Sequence, residues 1–135
     1  MEKINFKKKY GQNFLSDTNL LKAIVADSSL APTDEVLEIG AGAGALTKII
    51  ANNCKKLISY EIDEELKPVL ENNLSEFNNI KLIFSDIMKN NISDIEKDFS
   101  GKYKLIANLP YYITTPIIFK FLEETDRVES LTIMV

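Results

Sequence analysis

The residues best suited to chemistry begin where the short apolar run Glu35–Ile39 leads into three alternating glycines, Gly40, Gly42 and Gly44. Glycines directly after a strand and before a helix let the backbone turn tightly and approach a ligand without obstruction by a Cβ. A structural turn alone rarely requires three of them. Because ligands of parallel sheets bind at the carboxyl ends of the strands, this segment predicts a ligand-binding loop.

The sequence motif of this loop fits two classes of cofactor. Gly40, Gly42 and Ala45 satisfy the dinucleotide pattern G-x-G-x-x-G/A, so a nicotinamide-dependent oxidoreductase is one alternative. The form E-x-G-x-G-x-G, which starts at Glu38, is typical of S-adenosylmethionine methyltransferases. The Glu38 carboxylate is suited to the positive charge and amino group of a bound methionine portion; otherwise it is simply an acid at a strand end.

Two acids follow the second apolar run, at Glu61 and Asp63. An acid about 20 residues beyond the glycines accepts hydrogen bonds from ribose hydroxyls in both cofactor classes. We assign this role to Glu61, which is nearer the strand tip, whereas Asp63 is well placed to cap a helix that begins near Glu64. Ile62, between the two acids, can pack on an adenine ring, and its alternative role is core packing.

A further acid follows the third apolar run, in the tripeptide Ser85-Asp86-Ile87. The Asp86 carboxylate can accept a hydrogen bond from the amino group of an adenine, with Ile87 against the ring. An acid after a strand is also a common helix cap, and spacing alone favours that structural interpretation. The glycine loop and Glu61 together shift the balance toward adenine recognition.

The fourth apolar run ends in the tetrapeptide Asn108-Leu109-Pro110-Tyr111. The exocyclic amine of adenine is a poor nucleophile because its lone pair is delocalised, so acceptors that hold its protons would expose that pair. The Asn108 amide oxygen and the Leu109 carbonyl suit this role. Pro110 biases Leu109 to an extended conformation, and Tyr111 offers a ring face to an extruded base. A turn followed by a buried tyrosine is the alternative.

These segments require a scaffold in which short strands alternate with helices. Such alternation predicts βαβ units and a parallel sheet covered on both faces, so the fold class is α/β, doubly wound and mainly parallel. Leu20, Leu21, Ile24 and Val25 have helical spacing and add an earlier helix, with Ser16 or Asp17 as its cap. The predicted strands are Glu35–Ile39, Leu57–Ile62, Ile80–Phe84, Lys104–Ala107 and Leu131–Val135; the later predicted helices are Ala45–Asn52, Glu64–Leu74, Ser93–Asp98 and Thr115–Glu124.

The composition of the 135-residue chain excludes several kinds of chemistry. The chain has no histidine and one cysteine, Cys54, which removes His-dependent triads, zinc sites built on histidine or cysteine, and an internal disulfide. We therefore expect no metal site. No apolar run approaches the roughly 20 residues that span a bilayer, so we expect no membrane association and a cytoplasmic location.

The two ends of the chain differ in character. Residues 1–10 carry a net charge of +3 within a chain of −4, and these lysines are either a solvated tail or an arm that contacts phosphates. Leu131–Val135 has the pattern of a strand, with no turn or polar tail after it. We expect the domain to be truncated after this fifth strand, and such a fragment to self-associate through the exposed strand edge.

The tetrapeptide Asn108–Tyr111 and the segment Lys9–Leu15, which contains G-Q-N-F-L, together resemble the ribosomal RNA adenine N6-dimethyltransferases. The resemblance keeps a consistent order from Lys8 to Val135. It implies a Rossmann-like methyltransferase fold with three parts. These are a basic arm at residues 1–15, an incomplete S-adenosylmethionine-binding domain at residues 16–135, and a carboxyl-terminal helical domain that is absent.

The same resemblance implies an activity and a set of contacts. Two methyl groups would pass from S-adenosylmethionine to each target adenine N6, with S-adenosylhomocysteine as product. The partner would be ribosomal RNA or an immature small ribosomal subunit, and the parent protein would be a monomer with a role in ribosome biogenesis. The implied cofactor contacts are Asn13, Leu15, Gly40, Glu61, Asp86 and Asn108, and the implied base contacts are Asn108, Leu109, Pro110 and Tyr111.

Three alternatives remain open at this point. A large-subunit adenine N6-methylase of the erythromycin-resistance kind performs the same chemistry on another RNA. The spelling of Lys8–Leu15 and the presence of Tyr112 favour the small-subunit branch. The nicotinamide-dependent oxidoreductase is the second alternative. The third is a module, or an inactive fragment, that binds RNA or ribosomal subunits without catalysis.

Overall fold

The computed structural model of the protein describes residues 18–109 and 111–134. Its sheet contains the strands β1 (Glu35–Ile39), β2 (Lys56–Glu61), β3 (Ile80–Phe84), β4 (Tyr103–Asn108) and β5 (Val128–Met134). All pair in parallel, in the spatial order β3-β2-β1-β4-β5. Because β1 lies between β2 and β4, the winding of the chain reverses between β1 and β4. Ligands of such sheets bind beyond the strand ends at this switch point.

Helices cover both faces of the sheet. They are α1 (Thr18–Asp27), α2 (Ala45–Ala51), α3 (Lys67–Asn73), α4 (Ile92–Glu96) and α5 (Tyr111–Glu123). Successive side chains of a strand point to opposite faces, so one strand supplies two cores. One core joins α1 and α2 to the sheet through Leu21, Ile24, Leu46, Ile50, Val36 and Leu57, and the other joins α4 and α5 to it through Ile95, Ile117, Phe121, Leu37, Ile39 and Leu105.

The structure confirms the predicted fold class, a doubly wound parallel α/β sheet. Each predicted strand overlaps an observed one, and each predicted helix overlaps an observed helix. No helix in the described ranges is both long enough and apolar enough to cross a membrane. The basic arm with its G-Q-N-F-L motif and the helix caps proposed at Ser16 and Asp17 lie outside the described residues.

The start of α5 differs from the prediction. The helix begins at Tyr111 rather than Thr115, and Pro116 lies inside it. A proline is tolerated best in the first turn of a helix, which is why the sequence alone favours a start at Thr115. Three side chains at helical spacing, Thr114, Ile117 and Phe121, are buried on one face. Burial of this face outweighs the local preference of the proline.

Two other boundaries also differ. Strand β5 begins at Val128 rather than Leu131, because Val128 pairs with Tyr103. The register then slips between Tyr103 and Lys104, which leaves Glu129 as the extra residue of a bulge. The predicted helix Glu64–Leu74 is divided into a 3-10 turn at Glu64–Leu66 and α3. Pro68 lies at the beginning of α3, where the missing N–H removes no helical hydrogen bond.

Candidate functional site

The carboxyl ends of four strands and the beginning of α5 surround a cavity of about 360 Å³. Its wall includes many of the residues predicted from the sequence, namely Gly40, Gly42, Glu61, Ile62, Asp86, Ile87, Asn108 and Leu109. A larger cavity of about 490 Å³ is lined by residues of α1, α2 and the segments after them, and it contains no residue of the predicted site. The switch-point cavity is therefore the candidate site.

The glycine loop between β1 and α2 forms one wall of this cavity. Gly40, Gly42 and Gly44 have φ angles of 89°, 57° and 97°, which side-chain-bearing residues rarely adopt. A Cβ on Gly40 would also lie 2.4 Å from the carbonyl oxygen of Asn108. The Gly40 N–H donates to the Tyr60 carbonyl at 2.8 Å, so the loop leaves β1 in contact with both neighbouring strands.

Glu61 lies at the end of β2 and faces this loop. Its Oε1 accepts a hydrogen bond from the Gly42 N–H, and its Oε2 accepts one from the Asp63 N–H, both at 2.9 Å. The Glu61 side chain is buried yet belongs to the cavity wall. One carboxylate thus ties the glycine loop to the end of β2 and presents its remaining lone pairs to the cavity.

The residues after Glu61 divide between structure and ligand surface. The Asp63 carboxylate accepts a hydrogen bond from the Glu65 N–H, which confirms the predicted cap. Ile62 is 64% exposed and lies on the cavity wall. Since an isoleucine in a core would be buried, the alternative of core packing for Ile62 is wrong.

Asp86 has two roles at the end of β3. Its Oδ1 accepts a hydrogen bond from the Met88 N–H at 2.9 Å, so it caps the 3-10 turn Ile87–Lys89. Asp86 is also part of the cavity wall. The Asn90 side chain holds this turn by donating to the Ser85 hydroxyl and to the Asp86 carbonyl. Ile87 is buried in the core and contributes to the wall as well.

Glu38 is enclosed at the end of β1, immediately before the glycine loop. Its side chain is 0% exposed, and it does not belong to the cavity wall. Oε1 accepts hydrogen bonds from the hydroxyls of Thr47 and Ser59, both at 2.7 Å, while Oε2 is buried with no partner among the described residues. Burial raises the pKa of Glu38 to about 7, and the nearby Glu61 carboxylate adds to the rise. Glu38 therefore lies in the interior, next to the glycine loop and off the cavity wall.

The tetrapeptide at the end of β4 is described in part. Asn108 and Leu109 are half-buried on the cavity wall, beside the glycine loop. Pro110 lies outside the described residues, and Tyr111 is the first residue of α5. Asn13 and Leu15, which the resemblance places at the cofactor, also lie outside the described residues.

The cavity wall includes residues that the sequence does not reveal as site residues. Ile113 and Ile117 reach it from α5. Ile117 belongs to the predicted helix, whereas Ile113 is helical because α5 begins four residues earlier than predicted. Ser59 is a further residue that the sequence does not single out. It lies outside the cavity wall, opposite Glu38 in the β1–β2 register, and its hydroxyl donates to the Glu38 Oε1. A hydroxyl within the otherwise apolar run Leu57–Tyr60 is a signal that could have identified it.

Comparisons with known proteins agree with this architecture. The structure matches the crystal structure of the 23S rRNA methyltransferase ErmE with a TM-score of 0.77 and 30% identity, over 90% of this chain and 47% of that one. It matches a dimethyladenosine transferase from Plasmodium falciparum with a TM-score of 0.69 and 27% identity, over 84% of this chain and 40% of that one. The fold is thus that of a Rossmann-like methyltransferase domain.

The sequence comparisons narrow the class further. A family model described as ribosomal RNA adenine dimethylase matches residues 3–135, and the chain belongs to that family. A relative from Alkaliphilus metalliredigens, named ribosomal RNA small subunit methyltransferase A, is 46% identical over 98% of this chain and 47% of its own length. A relative of the same name from Aster yellows witches'-broom phytoplasma is 48% identical over 96% of this chain. The chain spans about half the length of the curated relatives it matches.

Proposed function

We propose that the protein binds S-adenosylmethionine in the switch-point cavity and methylates N6 of adenines in small-subunit ribosomal RNA. One observation carries this proposal. Glu61, Asp86 and Asn108 arrive from the ends of three different strands and line the same cavity as the glycine loop. Membership of the ribosomal RNA adenine dimethylase family supports the assignment of both the cofactor and the RNA.

The residues of the cavity fit this cofactor. A carboxylate offers about four acceptor positions, and the described structure occupies two on Glu61 and one on Asp86. The positions that remain can accept ribose hydroxyls at Glu61 and an adenine amine at Asp86. Ile62 and Ile87 offer apolar surface to the adenine ring on the same wall. When bound, the cofactor supplies a methyl group activated by its sulfonium.

The end of β4 has the acceptors that a target adenine needs. The Asn108 amide oxygen and the Leu109 carbonyl can hold the protons of the exocyclic amine and so expose its lone pair. N6 is engaged in a base-paired duplex, so the target base must be unpaired or turned out of its stack. We assign the ring face of Tyr111 to stacking with that base, and Pro110 to fixing the preceding carbonyl. No strong side-chain base is required. Attack on the methyl group leaves a positive charge on N6, which lowers the pKa of its N–H, and the proton then passes to water.

The small subunit is the favoured target. The curated relatives at 46% and 48% identity carry the name ribosomal RNA small subunit methyltransferase A, whereas the large-subunit enzyme ErmE is 30% identical. We infer that the partner is ribosomal RNA or an immature small subunit in the cytoplasm, that the protein acts as a monomer, and that each target adenine receives two methyl groups.

A labelled-methyl transfer assay tests the proposal with protein expressed from its complete gene. Immature small subunits should accept the label, and Asn108→Ala should reduce transfer severely, whereas Tyr111→Phe should retain most of it because only the ring face is required. Asn72→Ala, on an exposed position of α3, is the matched control and should leave transfer unchanged.

Three results would overturn the proposal. Preferential labelling of large-subunit RNA would indicate the erythromycin-resistance type of activity. Binding of ribosomal subunits without any label transfer would indicate a non-catalytic module. Calorimetric titration that detects NADH binding but no S-adenosylhomocysteine binding would indicate the nicotinamide-dependent alternative.

A further inference from the structure

Glu38 is a buried acid with no ionic partner at hydrogen-bond distance among the described residues. It lies on the face of β1 that is directed toward α2, next to Ser59 of β2. The charged form of such a group is costly in the interior, and burial accordingly raises its pKa to about 7. An ion pair does not account for the presence of an acid at this position, so its role must come from its hydrogen bonds.

The two hydrogen bonds of Glu38 join the segments on either side of the glycine loop. Glu38 itself lies two residues before Gly40, and Thr47 lies in the first turn of α2, directly after the loop. Ser59 lies two residues before Glu61 on β2. The Oε1 atom of Glu38, on the strand before the loop, therefore accepts hydroxyl groups from both the helix after the loop and the strand that carries Glu61.

A second carboxylate holds the opposite side of the same loop. Glu61 accepts the Gly42 N–H at 2.9 Å from the cavity side, while Glu38 acts from the interior through hydroxyl groups. The loop is thus fixed between one buried and one cavity-facing carboxylate. A shift of α2 against β2 would change the position of the Gly42 amide relative to Glu61.

We propose that Glu38 is a positioning residue that holds the glycine loop in its ligand-binding geometry through Thr47 and Ser59, and makes no contact with the ligand. This inference rests on the proposed S-adenosylmethionine site. It requires an acceptor at Oε1 and no negative charge. A glutamine, whose amide oxygen can accept both hydroxyls, should therefore preserve the loop geometry and the ligand affinity. Its NH2 group takes the unpartnered place of Oε2, so the cost should fall on stability. A direct contact with the ammonium group of the ligand would instead need the carboxylate.

Two ligands distinguish the positioning role from direct contact. S-adenosylhomocysteine carries the amino-acid portion, and 5′-methylthioadenosine lacks it but keeps the ribose and adenine. Calorimetry should give wild-type affinities for both ligands with Glu38→Gln. Thr47→Val should weaken the binding of both ligands by one common factor, about tenfold for the loss of a buried hydrogen bond. Glu38→Leu removes two such bonds and should weaken the binding of both ligands at least as much.

Thr132→Val is the matched control for Thr47→Val. Both threonines are buried, with exposed fractions of 1% and 0%, and the Thr132 hydroxyl has no hydrogen-bond partner among the described residues. The control should leave both affinities unchanged. Amide hydrogen exchange at Gly42 without ligand is a second readout, and Thr47→Val should accelerate it while Thr132→Val and Glu38→Gln should not.

The outcomes separate the two proposals. A loss of S-adenosylhomocysteine affinity in Glu38→Gln, with 5′-methylthioadenosine unaffected, would show direct contact and overturn the positioning role. Unchanged exchange at Gly42 in Thr47→Val would overturn it as well. A wild-type protein that binds neither ligand would contradict the proposed cofactor, while the exchange measurement would still decide the role of Glu38.

Discussion

The backbones of Gly40 and Asn108 approach so closely that a Cβ on Gly40 would lie only 2.4 Å from the Asn108 carbonyl oxygen. Gly40 opens the loop that we assign to the cofactor, and Asn108 ends the strand that we assign to the target base. The two halves of the proposed site are therefore in direct contact at the switch point of the sheet. A side chain at this position would separate the halves and disturb both.

Gly40→Ala should destabilise the protein. The added Cβ would displace the end of β4, and alanine would be strained at a φ of 89°, so we expect a decrease of roughly 2–4 kcal/mol in the free energy of unfolding. Gly101→Ala is the control, since a Cβ there would meet no atom within 4 Å. Urea denaturation measures both variants, and equal stability of the two would contradict the close approach at Gly40.

Glu61→Ala should weaken ligand binding for two reasons. The substitution removes the proposed ribose acceptor and also leaves the Gly42 and Asp63 N–H groups without their partner. We expect S-adenosylhomocysteine to bind less tightly by roughly 1–3 kcal/mol. Calorimetry should show this loss beside an unchanged affinity for Glu71→Ala, an exposed acid on α3. Equal affinity in wild type and Glu61→Ala would remove Glu61 from the ribose role.

Ile62→Ala separates ligand binding from folding. Ile62 is 64% exposed, so its truncation should change the free energy of unfolding by less than about 0.5 kcal/mol. If the side chain packs on adenine, S-adenosylhomocysteine should bind less tightly by roughly 1–2 kcal/mol. Val69→Ala, 43% exposed on α3 and away from the cavity wall, should change neither quantity. An unaltered affinity in Ile62→Ala would argue against the adenine contact.

Most of the fold could be predicted from the sequence, because the patterns that indicate its strands, helices and loop lie within short segments. Short apolar runs between helical patterns are sufficient to define β1 to β4, and glycines at Gly40 and Gly42 identify the loop after β1. Asp63 shows the same principle, since an acid directly before a helix caps it in the structure as predicted. The candidate cavity could be predicted because the carboxyl ends of parallel strands meet at one edge of the sheet.

The features that the sequence did not reveal depend on contacts between distant segments. Glu38 has the spacing of a ligand-binding acid, yet the packing of α2 on the sheet encloses it behind Thr47. The start of α5 at Tyr111 depends on burial of Ile117 and Phe121, which outweighs the local signal of Pro116. The bulge at Glu129 depends on pairing with β4, and no residue type in β5 predicts it.

The raised pKa of Glu38 predicts how stability changes with pH. The ordinary value is 4.5 and burial raises it to about 7, so the native state binds more protons than the unfolded chain between these values. The contribution of Glu38 to stability is therefore fully present below pH 4.5 and is lost as the pH rises through 7. The loss should be on the order of 2–3 kcal/mol, and Glu38→Gln should abolish it.

Glu35→Gln, on the same strand, provides a control of opposite sign for this measurement. Burial alone would raise the pKa of Glu35, but hydrogen bonds from the Ser100 hydroxyl and N–H lower it below its ordinary value. Its stabilising contribution is therefore present above that ordinary value and is lost as the pH falls. Urea denaturation of the wild type and both variants, from well below pH 4.5 to above pH 7, covers the titration of Glu35 at the acid end and that of Glu38 above it. If the wild type and Glu38→Gln differ by a constant amount between pH 4.5 and about 7, Glu38 does not titrate as the buried geometry requires.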